Sequence, residues 1–70
     1  MPEAAFYEIH VGNSLDEKWA ATFAPFTPVF KEEETILTGR VHDQAELFGV
    51  LLKIRDLGLR LVSVIPRTGT

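Results

Sequence analysis

The sequence predicts an α+β domain in which strands and helices follow one another as β-α-β-β-α-β. Three observations carry this. Residues 6–11 alternate, with Tyr7, Ile9 and Val11 on one side and Phe6, Glu8 and His10 on the other, the period of a strand. Ser14 with Glu17, and Asp43 with Glu46, each have the three-residue spacing of a helix capping box. Leu47, Val50, Leu51, Ile54 and Leu57 recur at helical spacing.

Each element then has its own punctuation. Gly12-Asn13 is a turn signal after the first strand. Ser14 is the expected N-cap of the first helix, whose stripe is Leu15, Trp19 and Phe23 and whose stop is Pro25. Phe26 to Lys31 reads as the second strand. Pro28 lies inside it and cannot donate to a ladder, so that strand belongs at a sheet edge. Glu32-Glu33-Glu34 is expected to be a solvated hairpin tip that keeps the adjacent edge soluble. Thr35 to Arg40 is the third strand, with Gly39 near its end. The second helix runs from about Gln44 to Leu57, is stopped by Gly58, and is followed by Leu59 where a Schellman motif packs back on Ile54. Leu59 to Ile65 is the last strand, ended by Pro66, and residues 67–70 are expected to fray.

Two right-handed crossovers in one sheet turn this order into a ferredoxin-like split βαβ sandwich. The expected sheet is antiparallel with strand order 4-1-3-2 and both helices on one face. That order puts the Pro28 strand at an edge, as its proline requires. The chain is read as one domain over residues 1–70, with its ordered core at about 6–66.

The run Val41-x-Asp43-Gln44-Ala45-x-Leu47-x-Gly49-x-Leu51-x-x-Ile54-Arg55-Asp56-Leu57-Gly58-Leu59-x-Leu61-x-Ser63-Val64 resembles a signature of small stand-alone bacterial proteins of this length. The front half is similar too, in the Leu-Asp-Glu-x-Trp segment from Leu15 and the Leu-Thr-Gly of Leu37 to Gly39. The resemblance covers nearly the whole chain. No function is known for that family, so the resemblance implies an autonomous domain and brings no catalytic residue.

Composition narrows the function classes. Ten acidic and seven basic residues give a net charge of -3, without the clustered Lys and Arg of a nucleic-acid binder. The N-terminus lacks the basic and apolar regions of a signal peptide, and no apolar run reaches the roughly 20 residues of a membrane span, so a cytoplasmic protein is expected. A chain this short buries only about 60% of its unfolded surface. Small scaffolds commonly add disulfides, a metal or a partner subunit. There is no Cys, so a partner subunit is the expected supplement.

No catalytic, cofactor-binding or metal-binding residues are assigned. His10 and His42 are the only imidazoles and neither has metal-ligand spacing. Capping explains Asp43, Glu46 and Ser14 without invoking acid–base chemistry, and Ser63 has no identifiable base. Gly49 is harder to explain, because a helical glycine costs about 1 kcal/mol relative to alanine. Close packing against Ala20, Ala21 and Ala24 of the first helix is the favoured explanation, and approach of a ligand or partner backbone is the rival. Asp56 sits at the negative end of the second helix, where an acid is unfavourable, and pairing with Lys53, Arg60 or a partner is expected.

The strands are apolar on both sides, which points to cover on both faces of the sheet. The expected function is therefore a non-enzymatic protein-interaction module, homodimeric through its open sheet face or its last-strand edge. Phe6, Phe26, Phe30, Arg60, Val62 and Val64 are the expected interface. An ACT-like ligand sensor, using Gly12, Asn13, His42 and Asp43, is the first alternative. A small dimeric α+β barrel enzyme is the second.

Overall fold

The structure is a computed structural model that describes residues 5–67. Of the expected fraying over residues 67–70, residues 68–70 lie outside the described residues, whereas Arg67 is the last residue of a strand, paired with Phe6. The chain is α+β, with one four-stranded antiparallel sheet and two helices. The strands are β1 (Ala5–Val11), β2 (Thr27–Phe30), β3 (Thr35–Val41) and β4 (Leu61–Arg67). The helices are α1 (Ala20–Phe23), preceded by a 3-10 turn at Glu17–Trp19, and α2 (Gln44–Asp56). Strand order is β2-β3-β1-β4, the expected order read from the other edge.

The ferredoxin-like βαββαβ sandwich is not matched. Its first packing helix is reduced to the 3-10 turn and the four residues of α1. The cause is competition for the backbone before the helix. The Leu15 N–H donates to Thr35 Oγ1 (3.1 Å), and the Ser14 hydroxyl donates to the Lys31 carbonyl (3.4 Å). The expected Ser14–Glu17 box therefore does not form. Asp16 caps instead, accepting from the Lys18 N–H at 3.1 Å. Pro25 stops the chain soon afterwards, so little sequence remains for a helix.

α2 follows its punctuation closely. Asp43 is its N-cap and accepts from the Glu46 N–H at 2.9 Å. The Glu46 carboxylate reaches back one residue further than a standard box, accepting from the His42 N–H at 2.7 Å. At the other end Gly58 has φ +76, and the N–H groups of Gly58 and Leu59 donate to the carbonyls of Arg55 and Ile54. That is the Schellman pattern, and Leu59 packs against the core as its position predicts.

The core lies between the sheet and the helices. Ile9, Val11, Leu37 and Val41 from the sheet meet Phe23, Val50 and Ile54 from the helices, with Phe26 from the segment before β2. Register explains the alignment, since Ile9 faces Leu37 on β3 and Val64 on β4. Gly39 leaves room for Phe26: a Cβ there would come within 2.8 Å of the Phe26 ring.

The end of the last strand differs from expectation. Pro66 lies inside β4, opposite Tyr7, and does not end the strand. β4 is an edge strand, so both edges of the sheet carry a proline, Pro28 and Pro66, as residues without an N–H require. Near its start β4 is bulged: Ser63 faces His10 and Leu61 faces Val11, so the register skips Val62.

Candidate functional site: the open sheet face and the cavity beside the second helix

Residues directly opposite across an antiparallel pair share a face. The face away from the helices therefore consists of three rows. The first is Arg40, Phe6 and Arg67; the second is Thr27, Thr38, Glu8 and Ile65; the third is Val29, Ile36, His10 and Ser63. Phe6 is 48% exposed and Val29 43%. The Arg40 guanidinium lies over the Phe6 ring, 5.2 Å from its centroid.

A chain of charge crosses this face. His10 Nε2 is 3.2 Å from Glu8 Oε1, and its Nδ1 is 3.2 Å from Glu34 Oε1. Arg67 Nε donates to Glu8 Oε2, also at 3.2 Å. With both ring nitrogens against carboxylates, the imidazolium is the form the site favours. The bond to Glu8 is the main reason that the His10 pKa is raised, with Glu34 adding to it and burial opposing. His10, and then Arg67, hold the Glu8 carboxyl below its ordinary value. The face is thus less apolar than the strand sequences imply, and its polar residues are linked to one another.

The sequence predicts that Glu34 belongs to a solvated run, Glu32-Glu33-Glu34. Glu32 and Glu33 are exposed, but Glu34 is half-buried and bonded to His10. Glu8 and His10 share a face by simple alternation. Glu34 joins them only because β1 pairs with β3, which no local signal reveals.

The expected interface residues divide. Phe6 is on the open face, and Arg60 and Val62 are exposed at the start of β4, their side chains 3.1 Å from where a Cβ at Gly12 would lie. Phe26 is a core residue, 6% exposed. Val64 packs against the core, and Phe30, opposite buried Thr35, is on the core side of the sheet and 37% exposed.

The residues named for an ACT-like site do not converge. Asn13 follows the C-terminal end of β1, where its Oδ1 accepts from the Arg60 N–H at 2.8 Å. His42 and Asp43 lie at the other end of the sheet, about 20 Å away along a seven-residue strand. A small hollow of about 170 Å³ beside His42 and Asp43 is lined by Tyr7, Val41 and Gln44. Asp56 pairs with neither Lys53 nor Arg60. It accepts from Arg55 at 3.0 Å, on the surface.

Gly49 overturns its packing explanation. A Cβ there would meet nothing within 4 Å. Between α2 and the first crossover lies a cavity of about 250 Å³, with Ala24 and Gly49 in its walls. Lys53 spans the gap, its Nζ donating to the Thr22 carbonyl at 3.0 Å. Arg40 and Lys53 also line this cavity, and no local sequence signal places either of them there.

Among the described residues, fold and surface define a small α+β domain with an open, partly charged sheet face and a cavity beside its long helix. Residues 6–65 match a family described as a domain of unknown function, DUF8691, and the chain belongs to that family. No curated protein and no solved structure matches it. Among the described residues no helix is long and apolar enough to cross a membrane.

Proposed function

We propose that this protein is a small, bacterial, cytoplasmic, non-enzymatic interaction module that acts as a homodimer through its open sheet face. The observation that carries this reading is the make-up of that face. Phe6 and Val29 stand exposed on it, beside half-buried Ile36 and Ile65. A two-fold dimer sets the same patch against itself, so the patch must not repel its own copy. Glu8 and Glu34 are balanced by Arg67 and protonated His10, which makes the linked chain neutral. The resemblance of the Val41 to Val64 run to small stand-alone proteins supports an independent unit of this kind.

Sedimentation at micromolar concentration tests the proposal. The native chain should sediment as a dimer and Phe6→Asp as a monomer of unchanged helical content. Phe48→Asp is the comparison, since Phe48 is 54% exposed on the outer side of α2. It should remain dimeric. A monomeric native chain, or dissociation by Phe48→Asp and not by Phe6→Asp, overturns the sheet-face reading.

A further inference from the structure

Helix α2 carries a second exposed apolar face, on the side away from the sheet. Leu47, Val50, Leu51 and Ile54 are its inner residues, buried or packed against the core. The outer line is Ala45, Gly49, Leu52 and Asp56, all exposed, with Phe48 beside it. Leu52 is 48% exposed and Phe48 54%. The steps along that line are four, three and four residues, the spacing of a coiled-coil seam. Gly49 lies in the middle of it, where glycine is the poorest helix residue short of proline. Nothing within the chain requires it, since a Cβ there would meet no atom within 4 Å. A second helix laid along the seam would require it. With Gly49 in the contact, two helix axes can approach to about 8 Å, the near end of helix packing distances.

The helix is complementary to an antiparallel copy of itself. About a two-fold axis beside residues 50 and 51, Leu52 of each chain enters the gap at Gly49 of the other. Ala45 then lies across from Asp56, whose carboxylate stays in water with Arg55. On one flank Phe48 comes beside Arg55 of the second copy. Charge sets the direction. Asp43 caps the start of the helix and Glu46 is in its first turn, whereas Lys53 and Arg55 are in its last. Antiparallel pairing sets the acidic end of each helix against the basic end of the other, and a parallel pair sets like against like. We propose that the outer face of α2 is a second self-association surface, an antiparallel α2–α2 contact between two copies of this chain. It lies on the opposite side of the fold from the open sheet face, so it does not depend on the sheet-face dimer and can link such dimers to one another. One face of a 13-residue helix buries less than the roughly 1,200 Å² of a standard interface, so the contact closes with a dissociation constant on the order of 0.1 mM.

Sedimentation of Phe6→Asp, in which the sheet face is disabled, tests this apart from the sheet-face reading. That variant should be a monomer at micromolar concentration and should associate to a dimer on approaching about 1 mM. Leu52→Asp in the same background should weaken the association about tenfold or more. So should Gly49→Glu, which sets a charge against Leu52 but improves helix propensity. The melting temperature of Gly49→Glu should not fall, which separates loss of the contact from misfolding. Orientation is read by mixing. The chain has no Cys, so Gln44→Cys takes a single nitroxide label. Mixed with isotope-labelled chain that carries no nitroxide, it should broaden the amide of Leu57 more than that of Ala45. A Phe6→Asp chain that stays monomeric at about 1 mM overturns the proposal and leaves the face to a helix of another protein. Association that survives either Leu52→Asp or Gly49→Glu, or stronger broadening at Ala45, overturns it as well.

Discussion

His10 Nε2 lies 3.2 Å from Glu8 Oε1, two residues earlier on the same face of β1. The pair couples folding to pH in both directions. The His10 pKa is raised above its ordinary 6.5, so its contribution to stability is complete below 6.5 and is lost as pH rises through the higher folded value. The Glu8 pKa is lowered, so its contribution is present above 4.5 and is lost as pH falls through the lower folded value. Denaturation midpoints across the near-neutral range should fall with rising pH for the native chain. His10→Gln should flatten that slope, and an unchanged slope counts against the pairing.

The same titration should reach the proposed dimer. Deprotonation of His10 removes one positive charge from each facing surface and leaves Glu8 and Glu34 beside Arg67 and Arg40. The dissociation constant should change as pH passes the raised His10 value, and added salt should weaken the change. Sedimentation at two pH values on either side checks it.

Two glycines should respond oppositely to the same substitution. Gly49→Ala adds a methyl group to open space in a helix and should stabilise by about 0.5–1 kcal/mol. Gly39→Ala drives a Cβ to 2.8 Å from the Phe26 ring, which is 6% exposed and has little room to move. Overpacking of this kind costs about 1–3 kcal/mol. Thermal melts of both variants should move in opposite directions.

Thr35 is fully buried, and its hydroxyl donates to the Asn13 carbonyl at 3.0 Å while accepting from the Leu15 N–H at 3.1 Å. Thr35→Val removes both bonds and leaves two backbone groups without their partner. The expected loss is about 1–3 kcal/mol. Amide exchange at Leu15 should quicken more than at Ile54, and equal protection at both would show that the hydroxyl does not anchor the crossover.

Helix α2 offers a check on local rules. Asp43→Ala removes the N-cap and should cost about 1 kcal/mol. Gly58→Ala forces a side chain into φ +76 and should cost about 1–2 kcal/mol. The sites lie at opposite ends of the helix, so the double variant should lose the sum, as measured by chemical denaturation.

Much of this architecture is legible before folding. The ends of α2 need only neighbours within a few residues, so Asp43, Glu46, Gly58 and Leu59 announce them. Alternation in β1 and the proline in β2 give strand positions and an edge, and the strand order follows from two crossovers within one sheet. The first crossover is different. Ser14 and Glu17 have the spacing of a capping box, but Thr35, 20 residues away, takes the Leu15 N–H, and the expected helix shrinks to a turn. Pro66 likewise looks like a terminator until β4 is seen at an edge, where pairing with Tyr7 continues through it.

The candidate sites depend still more on distant contacts. Gly49 is conspicuous in the sequence as a costly residue in a helix, yet only the gap between α2 and the first crossover shows that it borders empty space. Glu8 and His10 share a face by alternation, but Glu34 and Arg67 reach them across 24 and 59 residues. Caps, turns and periodicity rest on hydrogen bonds and burial within a few residues, and those the order of amino acids already specifies. The charged row, the cavity and the truncated first helix arise from strand register and helix placement, where groups far apart in the chain compete for the same partners.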